Sequence, residues 1–202
     1  RSRRWMSMMS SSDGARRSDE APEDATANHS GEASSPARSE RLPDSLPPRR
    51  SGDGWTVGSD GEKHWGLNGA AGLMLIDPDR GVLMQHRALW SVAGGTWGFP
   101  GGARDMGESA IDAAIRESHE EAGVPDPEGN DFTIVDCHVL NLGTWSYTTV
   151  IAKTLRHLEP VINDPESIEL RWVPLDELRD LDLHPGVEAS LPELEELLAP
   201  HL

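Results

Sequence analysis

Three glutamates stand at a spacing that brings their carboxylates together. Glu117, Glu120 and Glu121 occupy positions i, i+3 and i+4 of a segment that is predicted to be helical, so their side chains share one patch. Like charges at this spacing repel by about 0.2–0.5 kcal/mol per pair, and at the end of a helix they also oppose its dipole. A hard divalent cation such as Mg²⁺ would reverse both effects, because it prefers oxygen ligands. The spacing favours a metal site, with a solvated acidic face as the plainer alternative.

Local signals predict that this helix covers residues 109–123. Ser109 is followed three residues later by Asp112, which is typical of a capping box, and Gly123 followed by Pro125 is typical of a helix C-terminus. Between these ends, a stripe of residues at helical spacing is predicted to face the core. The stripe consists of Ile111, Ala114, Ile115, Ser118 and Ala122.

The residues around the helix strengthen the metal hypothesis. Gly101 and Gly102 precede it, and glycines let the backbone approach a ligand closely. Glu108 lies just before the N-cap. Arg116 is next to Glu117, where a guanidinium can hydrogen-bond a carboxylate and orient it. We therefore expect a site that is built from a loop and the helix that follows it.

This spacing resembles the Nudix box, G-x5-E-x7-R-E-U-x-E-E-x-G-U, in which U is a bulky apolar residue. All fixed positions are matched, and one soft position departs, because Ser118 stands where an apolar residue is usual. So long a match is specific. The resemblance extends over about residues 64–198 and is of the MutT-like, actinobacterial type. The matching residues are Gly102, Glu108, Arg116, Glu117, Glu120, Glu121, Gly123 and Val124.

The resemblance implies a fold of the α/β (α+β) class, an α/β/α sandwich with a mixed β-sheet and a loop-helix catalytic motif. Alternation and β-prone runs predict strands over residues 69–76, 82–87, 132–142, 145–155 and 168–173, and amphipathic patterns predict helices over 174–181 and 187–198. Residues 1–60 are rich in Ser, Arg and Pro and are predicted to be a disordered tail and linker. The catalytic domain is predicted to cover residues 61–202.

The resemblance also implies a role for each carboxylate. Glu120 and Glu121 would bind Mg²⁺ or Mn²⁺, and the carbonyl oxygen of Gly101 or Gly102 would add a ligand. Glu117 would be either a further ligand or the general base that activates water. Together with Arg116, which would orient a carboxylate, Glu117 and Glu120 form the predicted catalytic set. The reaction would cleave a P–O bond of a diphosphate.

Further residues are implied around this centre. Glu108 would support the metal site directly or through water. Arg87 and Gly102 are predicted to contact the substrate, although Arg87 could equally pair with a surface acid. Many family members use another carboxylate from a later loop, and here Glu166 is the first choice and Glu169 the second. The alternative is that these two, like the nearby Asp164, are ordinary loop charges.

Four aromatic side chains lie where they could stack on a nucleobase. Aromatic residues at strand ends more often pack in the core or at its rim, and we favour this second interpretation. The four residues are His86, Trp90, Trp97 and Trp145.

The charge distribution excludes one class of partner. Residues 51–202 contain nine basic and 27 acidic side chains, whereas residues 1–50 are near neutral. A domain this acidic does not attract a nucleic-acid backbone by general electrostatics. No apolar run approaches the roughly 20 residues of a membrane span, and a single cysteine, Cys137, permits no intrachain disulfide. We expect a cytoplasmic protein without nucleic-acid or membrane partners, with an organelle transit peptide as the alternative for the Arg- and Ser-rich start.

Three functions are compatible with these features. The first is a Mg²⁺-dependent pyrophosphohydrolase whose small-molecule substrate is a nucleoside diphosphate linked to another group, such as a (d)NTP, an oxidised dNTP or ADP-ribose. The second is a catalytically silent Nudix module that senses a nucleotide. Such modules commonly lose box glutamates, and none is lost here. The third is an acidic interaction domain that binds no metal. The complete box favours the enzyme.

Overall fold

The computed structural model describes residues 49–125 and 127–202, which lie within one compact unit, Ser35–Leu202. Most of the predicted tail, residues 1–60, therefore lies outside the described residues. Residues 55–57 do not, because they form a strand that pairs antiparallel with residues 63–65. The predicted boundary at residue 60 misses this strand.

The strands and helices agree in order with the sequence prediction. The catalytic helix, α1, is Ala110–Ala122, and α2 is Pro185–Leu198. The strands of the described residues are β1 (Trp55–Val57), β2 (Lys63–Trp65), β3 (Ala70–Asp77), β4 (Gly81–Arg87), β5 (Trp97–Gly98), β6 (Gly101–Ala103), β7 (Phe132–Asn141), β8 (Ser146–Thr154) and β9 (Ser167–Val173).

β3 lies at the centre of a mixed sheet. It pairs in parallel with β8 and antiparallel with β6 and β4. On one side β4 also pairs with β5 and β9, and on the other side β7 pairs with β8, all antiparallel. All eight residues of β3 are buried. Burial on both faces explains why this strand is a continuous apolar run and does not alternate with polar residues.

A helix packs on each face of the sheet. Alternate side chains of β3 point to opposite faces, so Leu73 packs in one apolar cluster with Ala113 and Ala114 of α1. Met74 packs in the other cluster, which contains the apolar side chains of α2, such as Leu194. The fold is therefore the predicted α/β/α sandwich with a mixed sheet. Within the described residues, no helix combines the length and apolar character that crossing a membrane requires.

Two predictions about helices were wrong in detail. Residues 174–181 do not form an α-helix, because the segment between Pro174 and the extended Leu181 holds only a short 3₁₀ helix, Leu175–Asp180. Ile111 does not face the core and is 37% exposed, whereas Ala113 is fully buried. The buried face of α1 is rotated from the predicted stripe towards Glu121, which is also buried.

The surroundings of Ser118 show why a polar residue is tolerated at this position. Its side chain is fully buried, and its hydroxyl donates a hydrogen bond to the carbonyl oxygen of Ile115 at 2.9 Å. A buried hydroxyl is costly only when it lacks a partner. The departure from an apolar residue at this position is therefore accommodated within α1.

Candidate active site

The ends of α1 are fixed by their caps. The Ser109 hydroxyl oxygen accepts a hydrogen bond from the backbone N–H of Asp112 at 3.1 Å. At the other end Gly123 has a left-handed conformation, φ 65°, and its N–H donates to the carbonyl of His119. These caps place Glu117, Glu120 and Glu121 in the last two turns of the helix. Glu120 faces solvent, whereas Glu117 and Glu121 point towards the glycines of β6.

Arg116 connects the carboxylates to one another. Its Nε and Nη2 atoms donate to the two carboxylate oxygens of Glu108 at 2.7 and 2.9 Å. Its Nη1 atom donates to Glu117 Oε1 at 2.7 Å and lies 3.5 Å from Glu120 Oε2. Nη2 also donates to the carbonyl of Ala103 on β6 at 3.0 Å. This network raises the pKa of Arg116, so the guanidinium stays charged and orients the surrounding carboxylates.

Glu108 is held by protein groups on both of its oxygens. Besides the two bonds from Arg116, its Oε2 atom accepts from the backbone N–H of Asp105 at 2.8 Å. The bonds from Arg116 keep the pKa of Glu108 below its usual range, although partial burial opposes this. Glu108 therefore supports the loop between β6 and α1 and acts on the site through Arg116.

Glu121 is the buried carboxylate of the site. Its side chain is 4% exposed, and its Oε2 atom accepts a hydrogen bond from the backbone N–H of Gly101 at 2.9 Å. Within residues 49–125 and 127–202, no ion pair reaches it. Burial raises the pKa of Glu121 well above its ordinary value, the charge of Arg87 lowers it, and the charge of Glu117 raises it further. A buried carboxylate without a direct ion pair is the kind of group that a bound cation would stabilise.

Gly102 is a glycine because Glu117 lies against it. A Cβ atom at this position would come within 2.7 Å of Glu117 Cδ and 2.8 Å of both carboxylate oxygens. Burial raises the pKa of Glu117 to about 7, against the opposing effect of Arg116. The backbone of β6 and the carboxylates of α1 thus meet in direct contact, which is how the loop and the helix form one site.

Two carboxylates of the loop before β9, Asp164 and Glu166, act on the carboxylates of α1. Asp164 and Glu166 both raise the pKa of Glu121 through their charges. Burial followed by the charge of Glu166 raises the pKa of Asp164 itself to about 6. Glu169, the second choice from the sequence, is half-exposed on β9 and lies 3.7 Å from Arg171. Asp164 and Glu166 therefore act on Glu121 through their charges, whereas the partner that the structure gives for Glu169 is Arg171.

Arg87 provides positive charge on the β4 side of the site. Its Nε atom donates to the carbonyl of Val92 at 3.0 Å, and its charge acts on both Glu121 and His184. His184 caps α2, since its Nδ1 atom accepts from the backbone N–H of Gly186 at 3.1 Å. Burial, together with the charge of Arg87, lowers the pKa of His184 to about 4, so the ring is neutral at pH 7. Arg87 therefore contributes positive charge near both Glu121 and the cap of α2.

Trp97 and Trp145 are packed against neighbouring side chains, whereas Trp90 is partly exposed. Trp97 is 8% exposed, with His86 stacked on it at 4.7 Å and the guanidinium of Arg171 at 4.4 Å from the ring centre. Trp145 is also 8% exposed and stacks on His64 at 4.4 Å. This agrees with the favoured interpretation that Trp97 and Trp145 are packing residues.

The side chains alone do not complete a metal site. In the described part of the chain, no three His, Cys, Asp or Glu side chains are grouped so that they could hold a metal ion. Glu117 and Glu120 turn towards Arg116, while Glu121 turns towards Gly101. The charge of Glu117 nevertheless acts on Glu121, and the charge of Glu120 acts on Glu117. The buried carboxyl group of Glu121, which forms no ion pair among the described residues, still fits a divalent cation, because Mg²⁺ is often held by one or two carboxylates together with substrate phosphates.

Comparison with known proteins identifies the family. The NUDIX domain family matches residues 66–194. The Mycobacterium tuberculosis protein named "Putative 8-oxo-dGTP diphosphatase 3" is 48% identical over 162 residues, which cover 77% of this chain and 71% of that protein. RenU, a Nudix hydrolase of M. smegmatis, has a crystal structure that is 45% identical in sequence with a TM-score of 0.64, and the match covers 74% of this chain and 96% of that one.

A fusion protein of Bifidobacterium longum is also similar. It is named as a nucleoside triphosphate pyrophosphatase/Nudix hydrolase fusion, and it is 46% identical over 159 residues. The match covers 73% of this chain but only 32% of the fusion protein, so the chain spans about a third of the length of that relative. These matches show that the chain belongs to the Nudix family and is a MutT-like hydrolase of the actinobacterial type.

Three residues near the carboxylates escaped prediction from the sequence. Asp164 was one of three equivalent loop carboxylates, and no local signal separated it from Glu169. Burial raises the pKa of Tyr147, and the charges of Arg87 and Glu121 also act on its hydroxyl group. It gave no signal beyond its β-prone strand, but a Cβ atom at Gly72 would lie 2.1 Å from its hydroxyl. Arg50, which lies in the predicted tail, forms an ion pair with Glu120. The linker-like composition of the tail gave no reason to single out any one of its residues.

Proposed function

We propose that this protein is a Mg²⁺- or Mn²⁺-dependent pyrophosphohydrolase of nucleotides. The observation that carries the proposal is the buried Glu121 carboxylate, which has a hydrogen bond from Gly101 but no ion pair among the described residues. Nothing in the packing of α1 requires a charge there, since its neighbours Ala114 and Ala122 are in the apolar cluster. A cation at this position supplies the missing charge.

The proposed ligands are Glu120, Glu121 and the carbonyl oxygen of Gly101. A divalent cation bound there would neutralise the phosphates of the substrate and lower the pKa of the attacking water. Glu117 either adds a ligand or takes the proton from water. Its partly buried carboxylate, with a pKa raised to about 7, binds a proton more readily than an exposed glutamate does.

The other residues of the site act on position and charge. Arg116 fixes the orientation of Glu117 with a bond of 2.7 Å, and Glu108 holds Arg116 in place. Glu166 is proposed as the carboxylate from the later loop, beside the partly buried Asp164. Arg87 is proposed to bind a phosphate of the substrate, because its positive charge faces the acidic group from β4.

Among nucleotide substrates we propose an oxidised purine nucleoside triphosphate, 8-oxo-dGTP, as the first candidate. The name of the M. tuberculosis relative supports it, because 48% identity extends over 71% of that protein. Canonical (d)NTPs and ADP-ribose remain the other members of the proposed class. The net charge of the domain, which is strongly negative, agrees with a phosphate substrate that arrives together with a divalent cation.

A substrate panel tests the proposal. The protein is incubated with Mg²⁺ and each nucleotide, and the products are identified by mass. We expect 8-oxo-dGMP and pyrophosphate from 8-oxo-dGTP, and no product from a parallel Glu120→Gln sample with the same thermal stability. Nucleotide binding without turnover by the parent protein would instead identify a sensor. The absence of both binding and turnover would reject the proposed substrate class.

A further inference from the structure

A basic residue from outside the family-matched stretch contacts the proposed metal site. Arg50 lies 16 residues before residue 66, where the NUDIX match begins. Its Nη2 atom is paired with Glu120 Oε1, and its Nη1 atom lies 3.4 Å from Asp105 Oδ2. Its charge also lowers the pKa of Glu117. A residue of the predicted tail is thus a neighbour of two glutamates of the box.

The segment that carries Arg50, residues 50–53, is fastened to the loop between β6 and α1. Asp105 in that loop accepts hydrogen bonds from the Ser51 hydroxyl at 2.7 Å and from the Gly52 N–H at 3.2 Å. The Ser51 hydroxyl oxygen accepts in turn from the N–H of Met106 at 2.9 Å. A Cβ atom on Gly52 would lie 2.0 Å from the carbonyl oxygen of Arg104, so the two backbones are in direct contact. These bonds hold the segment that carries Arg50 against the loop.

Glu120 is left between two guanidinium groups. On one side is Arg116, which already binds Glu108, Glu117 and the carbonyl of Ala103. On the other side is Arg50. The side chains of Arg50 and Glu120 are 42% and 39% exposed, so the pair is hydrated and adds little net stability. Such a pair can open easily when a stronger cation competes for the same oxygen.

We propose that Arg50 is a positioning residue of the metal site that serves as an internal counter-ion for Glu120. It holds Glu120 Oε1 while no divalent cation is bound, and it releases this oxygen when the cation binds. The inference rests on the proposed function to the extent that a cation binds at Glu120, but it does not depend on which nucleotide is hydrolysed. It explains why residues 50–53 are tied to the loop between β6 and α1.

The test measures binding of Mn²⁺ to the full chain, without nucleotide, from the electron paramagnetic resonance signal of the free ion. Removing the competing charge with Arg50→Gln should tighten Mn²⁺ binding by about two- to fivefold, the range expected for an exposed ion pair. Arg50→Lys, which retains the charge, should restore most of the parent affinity. The matched control is Arg49→Gln at the exposed neighbouring position, which should leave the affinity unchanged.

The outcomes separate this inference from the proposed function. A residue that served only to tie residues 50–53 to the loop would loosen Mn²⁺ binding when removed, so weaker or unchanged binding by Arg50→Gln overturns the inference. Ser51→Ala, which breaks the tie but keeps the charge, should not tighten binding. If the parent binds Mn²⁺ and Arg50→Gln binds it more tightly, the inference stands even when no nucleotide of the panel is hydrolysed. A parent protein that binds no Mn²⁺ contradicts both.

Discussion

Substitution of Gly102 by alanine should abolish most activity and leave the fold intact. The new Cβ atom would lie 2.7 Å from Glu117 Cδ, whereas ordinary contacts begin at 3.4 Å, so the carboxylate must move by about 1 Å. The obstacle is the far end of a flexible side chain, which can rotate away. The backbone of β6 need not shift, and we expect a loss of unfolding free energy of about 1 kcal/mol or less.

The effect on catalysis should be much larger. A displacement of about 1 Å at a catalytic group can lower the rate about 100-fold, which corresponds to about 2.7 kcal/mol in the activation free energy. In the displaced position, Glu117 also loses its 2.7 Å bond from Arg116. The loss should therefore appear mainly in kcat, measured with saturating Mg²⁺ and nucleotide.

Gly101→Ala is the matched comparison. At that position a Cβ atom would come within 2.4 Å of the Ala71 carbonyl oxygen and of Gly72 Cα, which belong to the backbone of β3. These atoms cannot rotate away, so the pairing of β3 with β6 must separate. We expect Gly101→Ala to lower the unfolding free energy by about 1–3 kcal/mol or more. Equal destabilisation by Gly101→Ala and Gly102→Ala, or full activity of Gly102→Ala, would refute the claim that the absence of a side chain at position 102 makes room for the Glu117 carboxylate.

Three further substitutions test other parts of the site. Glu121→Gln keeps an acceptor for Gly101 but removes the buried charge, so turnover should fall at least about 100-fold. Because burial raises the pKa of Glu121, the folded metal-free parent protein loses stability as pH rises above 4.5. With chelator present, Glu121→Gln should therefore have a higher melting temperature than the parent at alkaline pH. This difference should vanish near pH 4.5. Arg116→Ala leaves carboxylates that are only 15% exposed without their partner and should cost about 3 kcal/mol in chemical denaturation, whereas Arg49→Ala at an exposed position should change stability by less than about 0.5 kcal/mol. Glu166→Gln should lower kcat, and the same change at Glu169 should not; equal losses would contradict the grouping of the later loop.

The sequence predicted the catalytic helix well because its signals are local. The caps Ser109 and Gly123 and the spacing of the glutamates depend only on residues within one helix, and α1 begins and ends where they indicate. The rotation of the helix about its axis was not predictable in the same way. It depends on β6, where Gly102 leaves space for Glu117 that a larger residue would fill. A stripe of apolar residues therefore predicted burial of Ile111, which is exposed.

Contacts between distant segments were hidden from the sequence. Arg50 and Glu120 are 70 residues apart, and the composition around Arg50 is that of a linker. The sequence offered no local basis for ranking Asp164 against Glu166 and Glu169, because the direction of each side chain depends on how the loop approaches β4 and α1. The local sequence pattern therefore predicts the helix and its carboxylates. Tertiary contacts, which the pattern does not contain, determine which other charged residues lie near them.

The most direct test of the central claim is the Mg²⁺ dependence of nucleotide cleavage at a defined bond. Purified protein is depleted of metal with a chelator, and hydrolysis of 8-oxo-dGTP is followed by mass as Mg²⁺ is restored. We predict no turnover without metal, recovery of 8-oxo-dGMP and pyrophosphate with Mg²⁺, and no recovery in Glu121→Gln although it remains folded. Cleavage that continues without metal, or that survives unchanged in Glu121→Gln, would contradict a site built on the carboxylates of α1.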